Sequence, residues 1–172
     1  EYAIPMRDGV KLFTSVYEPQ SKTQEHPILL VRTPYSCAPY GTLMSPRMYK
    51  SYWISYLKDG YIIVMQDVRG CYMSEGKFVN VRPLKASVTD PGIDESTDAY
   101  DSIDWLIKHL KSSNKKVGVF GISYPGFYAT MTAACGHPAL KAASPQAPVT
   151  DWFMGDDFHH LGAFALMDGF SF

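Results

Sequence analysis

Three short runs of uninterrupted apolar residues constrain this chain more than any other feature. They are Ile28-Leu29-Leu30-Val31, Tyr61-Ile62-Ile63-Val64-Met65 and Val117-Gly118-Val119-Phe120. A strand with one wet face alternates apolar and polar residues, so a continuous run marks a strand buried on both faces. Helical patterns lie between the runs. Arg47 to Lys58 reads as a helix stopped at Asp59-Gly60. Asp94 to His109 reads as a helix, with Ala99, Ile103, Leu106, Ile107 and the following Leu110 recurring at helical spacing behind an acidic first turn that suits the helix dipole. Tyr124 to Cys135 reads as a third helix, stopped by Gly136 and Pro138, and a fourth strand is expected from Leu140 to Ala143 or slightly beyond. This alternation predicts right-handed βαβ crossovers, hence an α/β fold with a mostly parallel sheet covered by helices on both faces. Ahead of it, Ala3 to Met6 and Lys11 to Tyr17 flank Arg7-Asp8-Gly9, a hairpin signal. Residues 74–93, broken by Gly76, Pro83, Pro91 and Gly92, read as an irregular excursion.

Composition removes several function classes. Sixteen Lys+Arg against seventeen Asp+Glu give a net charge of −1, with no basic stripe for a phosphate backbone, so nucleic acid is not an expected partner. No apolar run approaches the ~18 residues of a membrane span. Cys37, Cys71 and Cys135 are odd in number and lack metal-type spacing, which argues against a disulfide framework and a structural zinc site. His159-His160 beside Asp156-Asp157 read as a polar pocket wall, because two adjacent side chains do not converge on one ion from a helix. G-x-G-x-x-G is absent, so no nicotinamide site is expected. The sequence does not give the compartment or the oligomeric state, and a homo-oligomer stays open.

In open α/β sheets the chemistry sits at the carboxyl ends of the strands. There the third run leads into Gly121-Ile122-Ser123-Tyr124-Pro125-Gly126 and then a helix. A serine at such a strand-to-helix turn has the form of a nucleophile elbow. The second glycine comes three residues after the serine, one later than in G-x-S-x-G. A serine that merely caps the helix is the alternative. A tetrahedral oxyanion needs donors. The backbone N–H of Tyr124 is one candidate. The hydroxyl of Tyr35, in Arg32-Thr33-Pro34-Tyr35, is the other, unless that ring is only a pocket wall. Asp67 and Arg69, at the end of the second run, are read as fixing their loop through ionic hydrogen bonds.

R-T-P-Y at 32–35, Q-D-V-R-G at 66–70, S-E-G at 74–76, D-E-S-T-D-A-Y-D-S-I-D-W-L at 94–106, G-I-S-Y-P-G at 121–126 and S-P-Q-A-P-V-T-D-W at 144–152 follow in order. Together they resemble the X-Pro dipeptidyl-peptidase S15 family, with its cocaine-esterase-like hydrolases, α-amino acid ester hydrolases and glutaryl-7-aminocephalosporanic acid acylases. The resemblance implies a cofactor-free serine hydrolase of small-molecule ester, amide or peptide substrates. It implies an α/β-hydrolase core, a helical cap and a C-terminal jelly-roll domain. Ser123 matches the nucleophile, Tyr124 and Tyr35 the oxyanion donors, and Asp157 a carboxylate that holds a substrate ammonium. Residues 1–150 are then expected to be the N-terminal part of the core and 151–172 the start of the cap. Asp151, Asp156, Asp157, Asp168, His159 and His160 follow the serine, but residues 151–172 are too few for two more sheet strands, since a βα unit takes roughly thirty residues. The triad acid and histidine are therefore expected outside this sequence. An esterase or β-lactam acylase leads, an X-Pro dipeptidyl peptidase is the alternative, and an inert fragment or binding module is the alternative of another class.

Overall fold

The computed structural model describes residues 1–20, 24–41, 53–85 and 92–171. Six strands form one sheet: β1 (Tyr2–Pro5), β2 (Lys11–Tyr17), β3 (His26–Thr33), β4 (Ile62–Asp67), β5 (Ser113–Ile122) and β6 (Leu140–Gln146), in the order β1-β2-β4-β3-β5-β6. The hairpin β1–β2 joins β4 antiparallel, and β4, β3, β5 and β6 run parallel. Among the described residues, four helices accompany the strands: α1 (Trp53–Lys58), α2 (Glu95–His109), α3 (Tyr124–Ala133) and α4 (Leu166–Ser171). Residues 47–52 of the first expected helix lie outside the described residues.

The apolar runs occupy the centre of the sheet, and β3 shows why they are continuous. Ile28 and Leu30 face a core shared with Ile62 and Val64 of β4, Val117 of β5 and Ile103 and Leu106 of α2. Leu29 and Val31, on the opposite face, pack with Ile63 and with Trp53 of α1. Each such side chain removed from water contributes ~1.5–3 kcal/mol, so a charge on either face of β3 would be disruptive. Tyr128 and Met131 of α3 pack with Val68 and Val149 in a third cluster at the carboxyl end of the sheet. Asp94 caps α2 by accepting from the backbone N–H of Thr97 at 2.8 Å, while Thr97 Oγ1 accepts from the N–H of Asp94 at 3.0 Å.

The acidic start of α2 does more than suit the helix dipole. Glu95 and Asp98 are buried. Arg32, 1% exposed, donates to Glu95 Oε2 at 3.2 Å and to Gln66 Oε1 at 2.9 Å, and its guanidinium lies over the Tyr128 ring. Arg69 clasps Asp98 at 2.6 and 2.8 Å and also reaches Asp8 at 2.7 Å. These ion pairs tie α2 to the ends of β3 and β4 and to the first hairpin. After Val149 the chain leaves the sheet. It forms a separate three-stranded antiparallel sheet from β7 (Gly155–Asp156), β8 (His159–His160) and β9 (Ala163–Phe164), followed by α4. The three short strands were not foreseen.

Candidate active site

The turn between β5 and α3 is built so that Ser123 adopts φ 61° and ψ −123°. A positive φ on a residue with a Cβ is strained, and such strain persists only where the surroundings over-determine it. Here they do. The Ser123 N–H donates to Gln146 O on β6 at 2.9 Å, and the Ser123 carbonyl accepts from the N–H of Phe127 at 3.1 Å. Neither flanking glycine has room for a side chain. A Cβ on Gly121 would lie 2.0 Å from Pro125 O, and one on Gly126 would lie 2.6 Å from Gln146 O.

Ser123 stands at the cap position of α3, yet its side chain makes no capping hydrogen bond. That separates it from an ordinary helix-capping serine, whose oxygen is occupied by the N–H groups of the first turn. The N–H of Tyr124 sits in that first turn, where a backbone donor has no acceptor within the helix.

Ser123, Tyr124, Tyr35, Asp157, Asn80 and Trp152 line one cavity of about 420 Å³, together with Val149, Phe158, His159 and Phe164. All four residues singled out from the sequence meet there. Tyr35 reaches it from the loop after β3 and is 45% exposed; its ring meets that of Tyr124 edge-on at 6.1 Å. Burial, and then the neighbouring Tyr124 and Asp157, push the Tyr35 hydroxyl above its ordinary value, so it keeps its proton at neutral pH. Trp152 and Phe158 stack at 5.2 Å and give the cavity an aromatic wall. Asp157 lies in the turn between β7 and β8, and its N–H donates to Asp156 Oδ1 at 2.6 Å. The His159 ring leans on Phe164 at 5.3 Å. Ser123 Oγ has no hydrogen-bond partner among the described residues, His159 included. No group of three or more His, Cys, Asp or Glu side chains among the described residues is placed to hold a metal ion.

The loop that carries Tyr35 is held from β4. Asp67, fully buried, accepts from the Cys37 N–H at 2.8 Å and from the Tyr40 hydroxyl at 2.9 Å. Burial, together with Asp67, pushes the Cys37 thiol up to about 12, which leaves it unreactive. Asp67 and Arg69 thus each fix a loop, through different partners. Asn80 was missed because nothing in the excursion around it is periodic. Its partner is Tyr124, whose hydroxyl donates to Asn80 Oδ1 at 2.5 Å and accepts from the Val81 N–H at 2.9 Å.

Residues 8–172 match the model of the X-Pro dipeptidyl-peptidase (S15 family). The chain belongs to that S15 family. Cocaine esterase from Rhodococcus sp. (strain MB1 Bresler) is 32% identical over 163 residues, which are 95% of this chain and 26% of the esterase. Among solved structures, an α-amino acid ester hydrolase matches with a TM-score of 0.84 and 46% identity, over 95% of this chain and 27% of the other. An aminopeptidase from the marine sediment archaeon Thaumarchaeota archaeon matches with a TM-score of 0.82 and 43% identity, again over 95% and 27%. This S15 chain thus spans about a quarter of the length of these relatives. More distant neighbours, such as an esterase from Pyrococcus furiosus at 20% identity and TM-score 0.55, share the α/β-hydrolase fold. The mostly parallel sheet and the strained serine turn therefore belong to an α/β-hydrolase core of the S15 family.

Proposed function

We propose that the chain carries the nucleophile and oxyanion side of a serine hydrolase acting on small α-amino acyl esters or amides. The observation that carries the reading is Ser123 itself: a positive-φ serine at the end of a central strand, its Oγ left free and opening into a cavity. Ser123 Oγ attacks the acyl carbonyl, and the alcohol or amine leaves to give an acyl-enzyme, which water then hydrolyses. The proton from Oγ passes to a histidine and on to the leaving group. That histidine and the acid that orients it are assigned to the part of the family fold beyond the matched quarter. The Tyr124 N–H and the protonated Tyr35 hydroxyl receive the oxyanion.

Asp157 supplies the substrate preference. Asp157 is exposed and lines the cavity together with Trp152 and Phe158, where its carboxylate can meet the ammonium group of a bound substrate. An acyl group with a free α-amine and an apolar side chain fits that combination. The names of the two solved relatives, an α-amino acid ester hydrolase and an aminopeptidase, support it. The same carboxylate also suits the amino terminus of an X-Pro dipeptide, which keeps the dipeptidyl-peptidase reading as second choice. Residues 1–150 are assigned to the catalytic core and 151–172 to the start of its cap.

The test is turnover by the full-length protein of phenylalanine methyl ester, its N-acetyl counterpart and an X-Pro anilide. Hydrolysis of the free-amine ester that drops on the order of 10⁴- to 10⁶-fold in Ser123→Ala is the expected outcome. Full activity of Ser123→Ala overturns the reading, and a preference for the X-Pro anilide selects the second.

A further inference from the structure

The acyl-transfer reading leaves the Asn80 side chain in this cavity without a use. Asn80 lines it beside Ser123 and is exposed. The orientation of its amide follows from hydrogen-bond accounting. The Tyr124 hydroxyl accepts from the Val81 N–H at 2.9 Å and donates to Asn80 Oδ1 at 2.5 Å. The carbonyl of the amide therefore faces Tyr124, and the NH2 group is turned away from it. Nδ2 donates to no group among the described residues. An oriented amide with two unused hydrogens thus stands at the cavity. It is held by Tyr124, to whose N–H the proposed reaction gives the oxyanion.

From this we propose that Asn80 is a specificity-determining residue, donating from Nδ2 to an acceptor oxygen that the substrate carries besides its scissile carbonyl. The inference rests on the serine-hydrolase reading of the cavity and adds a second polar requirement to it. Asp157 accepts from a cation, and Asn80 donates to a neutral or anionic oxygen. When substrate displaces water from Nδ2, a ligand without such an oxygen leaves a polar donor unpaired. A site built around a hydrogen bond discriminates against the analogue lacking it far more strongly than an apolar pocket does. The acceptor belongs to either the acyl side chain or the leaving group, and the two sources are separable.

Two pairs of α-amino acid esters, equal in charge within each pair, provide the test on the full-length protein. Methionine methyl ester and methionine sulfone methyl ester differ in acceptor oxygens on the acyl side. Phenylalanine n-propyl and 2-oxopropyl esters differ in one on the leaving-group side. The readout is the ratio of kcat/KM within each pair, compared between wild type and variants, so that intrinsic ester reactivity cancels. Asn80→Asp keeps an oxygen for the Tyr124 hydroxyl but loses both donors. Asn80→Leu loses donors and acceptor alike. In both variants the acceptor-bearing member of one pair should fall at least ~10-fold relative to its partner, a loss of about 1.4 kcal/mol. The pair that responds locates the oxygen. Any uniform effect of the new charge in Asn80→Asp drops out of the ratio.

If Asn80 only anchors Tyr124, Asn80→Asp behaves as wild type, Asn80→Leu slows all four esters equally, and the proposal is overturned. Labelling by a fluorophosphonate separates the two layers of the argument. Wild type labelled at Ser123 with unchanged ratios in the variants removes the role of Asn80 alone. Wild type not labelled at Ser123 removes both.

Discussion

The carboxylate of Asp67, at the end of β4, accepts a hydrogen bond at 2.8 Å from the backbone N–H of Cys37, two residues beyond Tyr35. A buried charge in one strand thereby fixes the loop that leaves the neighbouring strand, and with it the position of the Tyr35 hydroxyl. Hydrogen bonds to charged groups contribute ~1.5–3 kcal/mol each. Asp67→Ala is expected to lower the free energy of unfolding by about 2–4 kcal/mol and kcat by roughly 10-fold, with KM within about 3-fold. Asp67→Asn, which keeps an oxygen for Cys37, should fall between. Chemical denaturation and steady-state kinetics on the same preparations check this. Unchanged kcat in Asp67→Ala would show that the loop does not need this anchor.

Tyr35→Phe removes one hydroxyl and leaves the edge-on contact with Tyr124 in place. Because the donor acts on charge that exists chiefly in the transition state, kcat should fall by roughly 10²-fold with little change in KM. A rise in KM at constant kcat would return Tyr35 to being a wall of the cavity.

The sequence showed most of the fold through periodicity and most of the site through local motif. Continuous apolar runs located β3, β4 and β5, and helical spacing located α2. Gly121 and Gly126 were legible because a close approach leaves a glycine in the sequence. What stayed hidden depends on partners far along the chain. Glu95 and Asp98 looked like dipole-stabilising charges, whereas they pair with Arg32 and Arg69, and no local pattern announces such a pairing. The strands β7, β8 and β9 are two residues each, too short for any period to register. Asn80 lies among residues with no pattern, and its orientation follows from a hydroxyl 44 positions away.

His137 gives the fold a pH dependence on the acid side. It is buried, and its Nδ1 accepts from the Ala139 N–H at 3.0 Å, an arrangement available only to the unprotonated nitrogen. Burial lowers its folded pKa below the ordinary 6.5, outweighing the attraction of Asp104. With the folded value depressed, this contribution to stability is fully present above the unfolded pKa and is lost as pH falls from there toward the folded value. Unfolding free energy should therefore decline below about pH 6.5. His137→Asn, which retains an acceptor for the Ala139 N–H, should flatten that limb. An unaltered slope in the variant would assign the decline to other groups.

Asp157→Asn keeps the shape of the side chain and removes its charge. For esters with a free α-amine, KM should rise by roughly 10- to 100-fold, equivalent to about 1.4–2.8 kcal/mol. Esters without the amine should barely change. Equal losses on both types would make Asp157 a structural element of the β7–β8 turn.

The nucleophilic role of Ser123 is the central claim, and covalent labelling tests it most directly. The full-length protein is treated with a fluorophosphonate, digested, and mapped by mass spectrometry. The adduct is expected on Ser123 in the peptide that contains Gly121-Ile122-Ser123-Tyr124, with no adduct at any serine in the Ser123→Ala variant. Undiminished labelling of Ser123→Ala at another serine would contradict the account.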